Sequence, residues 1–356
     1  MKAKTWSITI LAVWLSIILL AGITVIIVDP YYHYHEPLNC FNYAGGDPVY
    51  TNDGMCKNYE YDALITGTSM TSGFSEAEAS ALFDMTFLRA TFLGEGFRRI
   101  NENLVSAIKY NPNLKLVIRS VDTLWFVTDA DWLAYDNYPE YLYNDSYIDD
   151  TQYLYNLDIW TKAVIPTLKT FHIPVEITLT NFTELEQTQK EYLESEMALN
   201  NYVRPAKEYN SIVPSDNAEY FSYMDANFRY NLLQVVEDNP EVEFYFYFPP
   251  YSILYWDSIN QVGEGRLDRR VDMEQYAIEK ILAYDNVRLF SFSNNFDLVC
   301  DLNEYSDEIH YHSSVNSKIL NWMKNGEYEI TKENYIEYIE EIRDFYVDYD
   351  YDSLFK

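Results

Sequence analysis

Residues 62–70 read Asp-Ala-Leu-Ile-Thr-Gly-Thr-Ser-Met. A short apolar run, Asp62–Thr66, ends in a glycine and two hydroxyl residues, and Ser75 follows with Glu78 three residues on. That order predicts a buried strand, a turn, and a helix opened by a capping box. The pattern repeats outward. Strands are expected at Met85–Leu93, Leu114–Val121, Val242–Phe248 and Val287–Phe292, and the Pro174–Leu179 run follows helix-like spacing over Tyr153–Phe171. Helices are expected at Arg98–Tyr110, 217–237, Met273–Tyr284, Ser314–Lys324 and Thr331–Tyr346. Alternating strands and helices predict an α/β fold, a three-layer α/β/α sandwich around a mostly parallel sheet. Such sheets carry their sites at the carboxyl ends of their strands.

Composition narrows the function classes. The chain has 356 residues, 25 Lys+Arg against 56 Asp+Glu, and a net charge of −31. Nucleic acid is excluded as a partner, because its affinity comes from basic side chains neutralising phosphates. Hydrophobic residues make up 48%, and 35 positions are Tyr, enough to fill a large core.

Ser7–Val28 is a run of 22 residues without a charge. As a helix it would be roughly 33 Å long, against a hydrocarbon core of about 30 Å. It exceeds the apolar region of a signal peptide, so an uncleaved anchor is expected. Lys2 and Lys4 before it and Asp29 after it predict a single-pass cell-membrane protein, tail inside and C-terminal domain outside. The expected organisation is a tail at 1–6, an anchor at 7–28, a juxtamembrane segment at 29–57 and an α/β domain at 58–326. Insertions near 123–152 and 182–216 would shape or cover the site, and a C-terminal helix with a solvated acidic tail would occupy 327–356.

Cys40 and Cys56 flank a Gly- and Asp-rich stretch that reads as a loop, and an export compartment permits a disulfide between them. His33 and His35, like His310 and His312, stand two apart. Neither pair supplies the three or four ligands zinc needs, so no metal is expected. His33 with Tyr31, Tyr32 and Tyr34 fits an aromatic belt at the membrane surface.

Ser69, placed just after the first strand and before a helix, lies where oxyanion charge is stabilised, although serine at such a turn is commonly only a cap. After the last strand comes Asp307-Glu308-Ile309-His310-Tyr311. A carboxylate three residues before a histidine can fix the imidazole tautomer and leave the other nitrogen to deprotonate a serine. The Gly-Thr-Ser-Met stretch near the start, Phe248-Pro249-Pro250-Tyr251-Ser252 after a late strand, and Asp-Glu-Ile-His-Tyr followed by Val315-Asn316 together resemble the SGNH (GDSL-like) hydrolase superfamily. With the anchor, the likeness is to its membrane-bound envelope-polysaccharide branch, related to the D-alanyl-transfer protein of teichoic acids.

The resemblance implies Ser69 as nucleophile, His310 as general base and then acid, and Asp307 as its orienting partner. It implies an oxyanion hole from the serine's own N–H and a glycine after the second strand, Gly94 or Gly96. The family also places an asparagine after the third strand, where this chain has Asp122-Thr123-Leu124-Trp125. The expected function is therefore a serine hydrolase or acyltransferase on acetyl or D-alanyl esters of cell-envelope glycans, using a glycan or acyl carrier as substrate and no cofactor. The missing asparagine keeps open a non-catalytic module that binds a glycan or an assembly partner.

Overall fold

The computed structural model describes residues 2–43, 46–135, 137–171, 198–208 and 218–356. The chain divides into two units, Met1–Glu60 with Asn137–Leu185, and Tyr61–Asp136 with Glu186–Lys356.

The second unit holds the sheet. Its strands are β1 (Ala63–Gly67), β2 (Phe87–Thr91), β3 (Leu116–Ser120), β4 (Glu243–Phe248), β5 (Val287–Ser291) and β6 (Glu329–Ile330). They lie in the order β2-β1-β3-β4-β5-β6. The first five run parallel, and β6 pairs antiparallel with β5. Every residue of β1, β2 and β3 is buried. Since successive side chains point to opposite faces, both faces of the sheet are covered. This is the expected α/β fold. The chain runs from β1 to β2 on one side and to β3 on the other, so the direction reverses beside β1. A crevice opens at such a switch point, outside the carboxyl ends of the strands.

Helix placement follows the apolar spacing. Phe97–Tyr110 buries Phe97, Ile100, Leu104 and Ala107, a stripe at three- and four-residue intervals. Ser75 caps Glu76–Phe83 by accepting from the Glu78 N–H at 3.3 Å. The Glu78 carboxylate accepts from Ser317. In β3, Arg119 is fully buried and donates to the Phe97 and Asn231 carbonyls at 3.3 and 2.8 Å. It thereby ties two helical segments to the sheet.

Three boundaries differ from the sequence reading. The 123–152 stretch is not one insertion, because residues up to Asp136 belong with the sheet and those from Asn137 with the N-terminal unit. Residues 327–356 hold the expected helix, Tyr335–Asp348, but also β6, which completes the sheet, and their end is packed rather than solvated, with Tyr346 stacked on Trp256 at 3.7 Å and Tyr351 buried. The loop between the first two cysteines is half helix, Pro48–Asn58, with Cys56 buried inside it. Cys40, Cys56 and Cys300 form no disulfide, which overturns the Cys40–Cys56 pairing. The Pro174–Leu179 run lies outside the described residues, as does most of 182–216.

In the first unit, Lys2–Val28 forms one helix long and apolar enough to cross a membrane. Its last turn is not free to face lipid, since Val25 and Val28 pack with Tyr31, Phe41, Leu142, Tyr153 and Ile159. The expected aromatic belt is likewise replaced by a protein core, with Tyr31 and Tyr32 buried. Asp29 organises the turn by accepting from the N–H groups of His33, Tyr34 and His35 and from the Tyr153 hydroxyl.

Gly67 ends β1 at φ +154°, where an added Cβ would lie 2.1 Å from Ser120 Oγ and 2.8 Å from Thr71 Cγ2. Gly67→Ala is expected to destabilise the fold by about 1–3 kcal/mol through overpacking. Chemical denaturation tests this, and an unchanged midpoint would contradict the contact.

Candidate functional site

The site is built where four strand ends meet. Thr68 opens a short 3-10 turn, Ser69–Thr71, directly after β1. The turn is pinned by its own backbone bonds and by the Met70 carbonyl, which accepts from Tyr311 at 3.2 Å and Asn316 at 3.1 Å. The Ser72 hydroxyl donates to the Ser69 carbonyl. Ser69 is thus held by contacts that leave its hydroxyl directed elsewhere.

That hydroxyl lies 2.9 Å from His310 Nε2. On the other side of the ring, His310 Nδ1 lies 2.7 Å from Asp307 Oδ2, while Asp307 Oδ1 accepts from the N–H groups of His310 and Ile309. Burial pushes the Asp307 carboxyl up, but its bond to His310, the imidazole charge and the two amides outweigh it and hold the group below the usual carboxylate range. Ser69, His310 and Asp307, read from distant parts of the sequence, are therefore brought into one hydrogen-bonded chain.

The loop carrying Asp307 and His310 is braced by the Pro249-Pro250-Tyr251-Ser252 run after β4. Ser252 donates to the Glu308 carbonyl from its N–H and its hydroxyl, at 3.1 and 2.9 Å. Tyr305 donates to the Pro250 carbonyl.

A cavity of about 400 Å³ opens on Ser69 and His310, with Gly94, Asp122, Trp125 and Tyr135 in its lining. The two candidate glycines separate here. Gly94 lines the cavity in a left-handed conformation, φ +69°. Gly96 packs against the Trp132 ring, and its N–H is taken by the Glu95 carboxylate. The structure brings Gly94 to the site and leaves Gly96 as the N-cap of Phe97–Tyr110.

Asp122 is the residue whose importance the sequence hid. It follows β3, is fully buried, and lines the same cavity. Its carboxyl accepts from Ser120 at 2.8 Å, Thr68 at 3.0 Å and Tyr251 at 2.9 Å. Burial raises its pKa, and the three hydroxyls and His310 offset that only in part. Ser120 also accepts from the Thr68 N–H. Asp122 thus links the ends of β1, β3 and β4. An acid directly after a buried strand was the available signal.

Among the described residues, no group of three His, Cys, Asp or Glu side chains is placed to share a metal ion. His33 instead meets Asp150 at 3.2 Å in the first unit.

No family model matches the chain, and no curated protein matches it. One solved structure, a protein of Streptococcus pneumonia provisionally described as a platelet activating factor, is similar at 13% identity and a TM-score of 0.38, over 78% of this chain and 89% of its own.

An activated serine reacts with a fluorophosphonate at a rate set by the neutral imidazole. Asp307 stays ionised well below the range in which imidazoles lose their proton, about pH 5 to 8. Labelling of the intact chain should therefore draw on an ionised Asp307 throughout that range. Asp307→Asn should slow it by about 10²-fold or more, by misorienting the ring. An unchanged rate in that variant would remove Asp307 from the chain.

Proposed function

We propose that the protein is an SGNH-type serine hydrolase or acyltransferase acting on acetyl or D-alanyl esters of cell-envelope glycans. The observation that carries the reading is the Ser69–His310–Asp307 chain at the switch point of the sheet. Ser69 Oγ attacks the ester carbonyl while His310 Nε2 takes its proton. The oxyanion forms against the Ser69 and Gly94 N–H groups. Collapse breaks the ester C–O bond, and His310 returns the proton to the departing alcohol. Water or a second sugar hydroxyl then attacks the acyl-Ser69 ester, again giving its proton to His310, and frees the serine. Asp307 stays ionised and orients the ring. The reaction requires no cofactor.

Cavity size bears on the acyl group. The Trp125 and Tyr135 side chains wall a space of about 400 Å³ beside Ser69, and Tyr135 donates to the Leu93 carbonyl across the entrance to Gly94. Small acyl groups suit that space better than long lipid chains.

Asp122 favours a second reading. An ionised carboxylate in this cavity would oppose a developing oxyanion, which suits a non-catalytic module that holds a glycan or an assembly partner. One assay separates the two. With a short-chain aryl ester and the full-length protein, hydrolysis is expected and should vanish in Ser69→Ala. Asp122→Asn removes the charge and supplies an amide, so it should raise turnover by about tenfold or more. Equal rates in the parent and Ser69→Ala would instead support the binding module.

The reading also requires the sheet unit to lie outside the cell. Lys2 and Lys4 on one side of the apolar helix and Asp29 on the other support that orientation. Protease added to intact protoplasts should remove a C-terminal tag while a cytoplasmic control survives. Full protection of the tag would place the site inside and exclude envelope glycans.

A further inference from the structure

A second cavity, of about 420 Å³, lies in the first unit and has no part in the ester chemistry. Tyr31, Tyr50, Tyr141, Asp47, Asn156 and Lys162 line it. From these residues we infer a binding site for a neutral polyhydroxylated group, a sugar ring or polyol, close to the end of the apolar helix. The volume falls in the range of small-molecule sites, about 300–1,000 Å³.

The lining is rigid. Tyr31 is only 8% exposed. Its ring stacks with those of Tyr50 at 5.1 Å and Tyr153 at 5.7 Å, and its N–H donates to the Tyr153 hydroxyl. The chain is fixed from below by the contacts that seat Val28 and Tyr153 in the same core.

Several polar groups at this cavity keep hydrogen-bonding capacity that no described protein group takes up, although the exposed Asp158 and Lys162 pair with each other at 3.7 Å. Among the described residues, none accepts from or donates to the hydroxyls of Tyr31, Tyr50 or Tyr141. These phenols lie near one another and near Asp47 and Asp158. Burial, and then those neighbours, raise the Tyr31 pKa, and burial with the Tyr50 hydroxyl pushes Tyr141 up to about 12. Asn156 uses its carbonyl oxygen to cap Leu157–Ile159, which leaves both N–H groups of its amide unpaired. Asp47 uses Oδ1 on the Val49 N–H, which leaves Oδ2 unpaired. Tyr31 is buried, yet its hydroxyl has no protein partner among the described residues, and Tyr50, Tyr141 and Asn156 stand half-buried in the same lining, a set that a ligand able both to donate and to accept would satisfy.

The chemistry selects among ligand classes. Sugar hydroxyls donate and accept, matching phenols, an amide and carboxylates in one lining. An anion would meet Asp47 and Asp158. A quaternary amine needs open aromatic faces, yet the Tyr31 ring is already stacked with two tyrosines and the Lys162 ammonium belongs to the same lining. Tyr31 lies three residues past the end of the helix, so the site would meet glycans at the membrane surface.

The test uses the full-length chain in a detergent without a sugar headgroup and reads saturation-transfer NMR from glucose, N-acetylglucosamine and glycerol, with choline and inorganic phosphate alongside. Transfer to at least one neutral probe is expected. It should fall about tenfold in affinity in Tyr141→Phe combined with Asn156→Asp, which keeps the helix cap but removes two hydrogen-bonding groups. Tyr141→Phe alone replaces the pair if the double variant lowers the thermal midpoint. Fluorophosphonate labelling of Ser69 should be the same in all forms, so failure here is distinct from failure of the ester reading. No transfer from the neutral probes, transfer unaffected by the variants, or preferential binding of choline or phosphate would each overturn the inference.

Discussion

The hydrogen bond between Ser69 and His310, 2.9 Å long, joins residues 241 apart in the chain and depends on nearly every other feature of the sheet unit. It exists only because β1 and β5 run parallel in one sheet, which delivers the residues after each strand to the same edge. The Ser69 turn is held through the Met70 carbonyl by Tyr311 and Asn316, which flank the start of the helix following His310. The Asp307–His310 loop is held in turn by Ser252 after β4. The serine turn is thus positioned by side chains from the histidine's neighbourhood, so a displacement of the histidine loop is felt at both.

Asp122 sets the electrostatic problem of the same cavity. A carboxyl with three hydroxyl donors is well satisfied in hydrogen bonds, but it stands where a developing negative charge would form. Burial draws it toward the protonated form, and a neutral carboxyl would leave the cavity free of opposing charge. On the proposed reading, the protonation state of this one buried group sets how much charge opposes the oxyanion.

Much of this was legible in the sequence because it rests on short-range pattern. Strands β1 to β5 are short, mostly apolar runs ended by turn residues, although β2, β3 and β5 each carry an arginine. Ser69 stands just after β1, and Asp307 and His310 follow β5. What escaped was long-range or disguised. Strand β6 is two residues long and carries no alternation. The helix Arg266–Ile281 begins seven residues before its expected start, since the charged stretch Arg266–Asp272 hides the buried Arg269 and Arg270, which lie over the Tyr220 and Phe126 rings. Tyr31 and Tyr32 follow an apolar helix and read as an interfacial belt, but their partners Tyr50, Tyr153 and Tyr59 come from elsewhere in the chain. Gly94 and Gly96 were indistinguishable until Trp132 and Glu95 claimed one of them.

The most direct measurement of the central claim is to trap the acyl-enzyme. The full-length protein is exposed briefly to an activated acetyl ester, quenched in acid, and digested for peptide mass spectrometry. The account predicts one acetyl group on Ser69, absent in His310→Gln and lost on incubation at neutral pH. An acetyl group found elsewhere, or none on Ser69 under conditions where the ester is consumed, would contradict it.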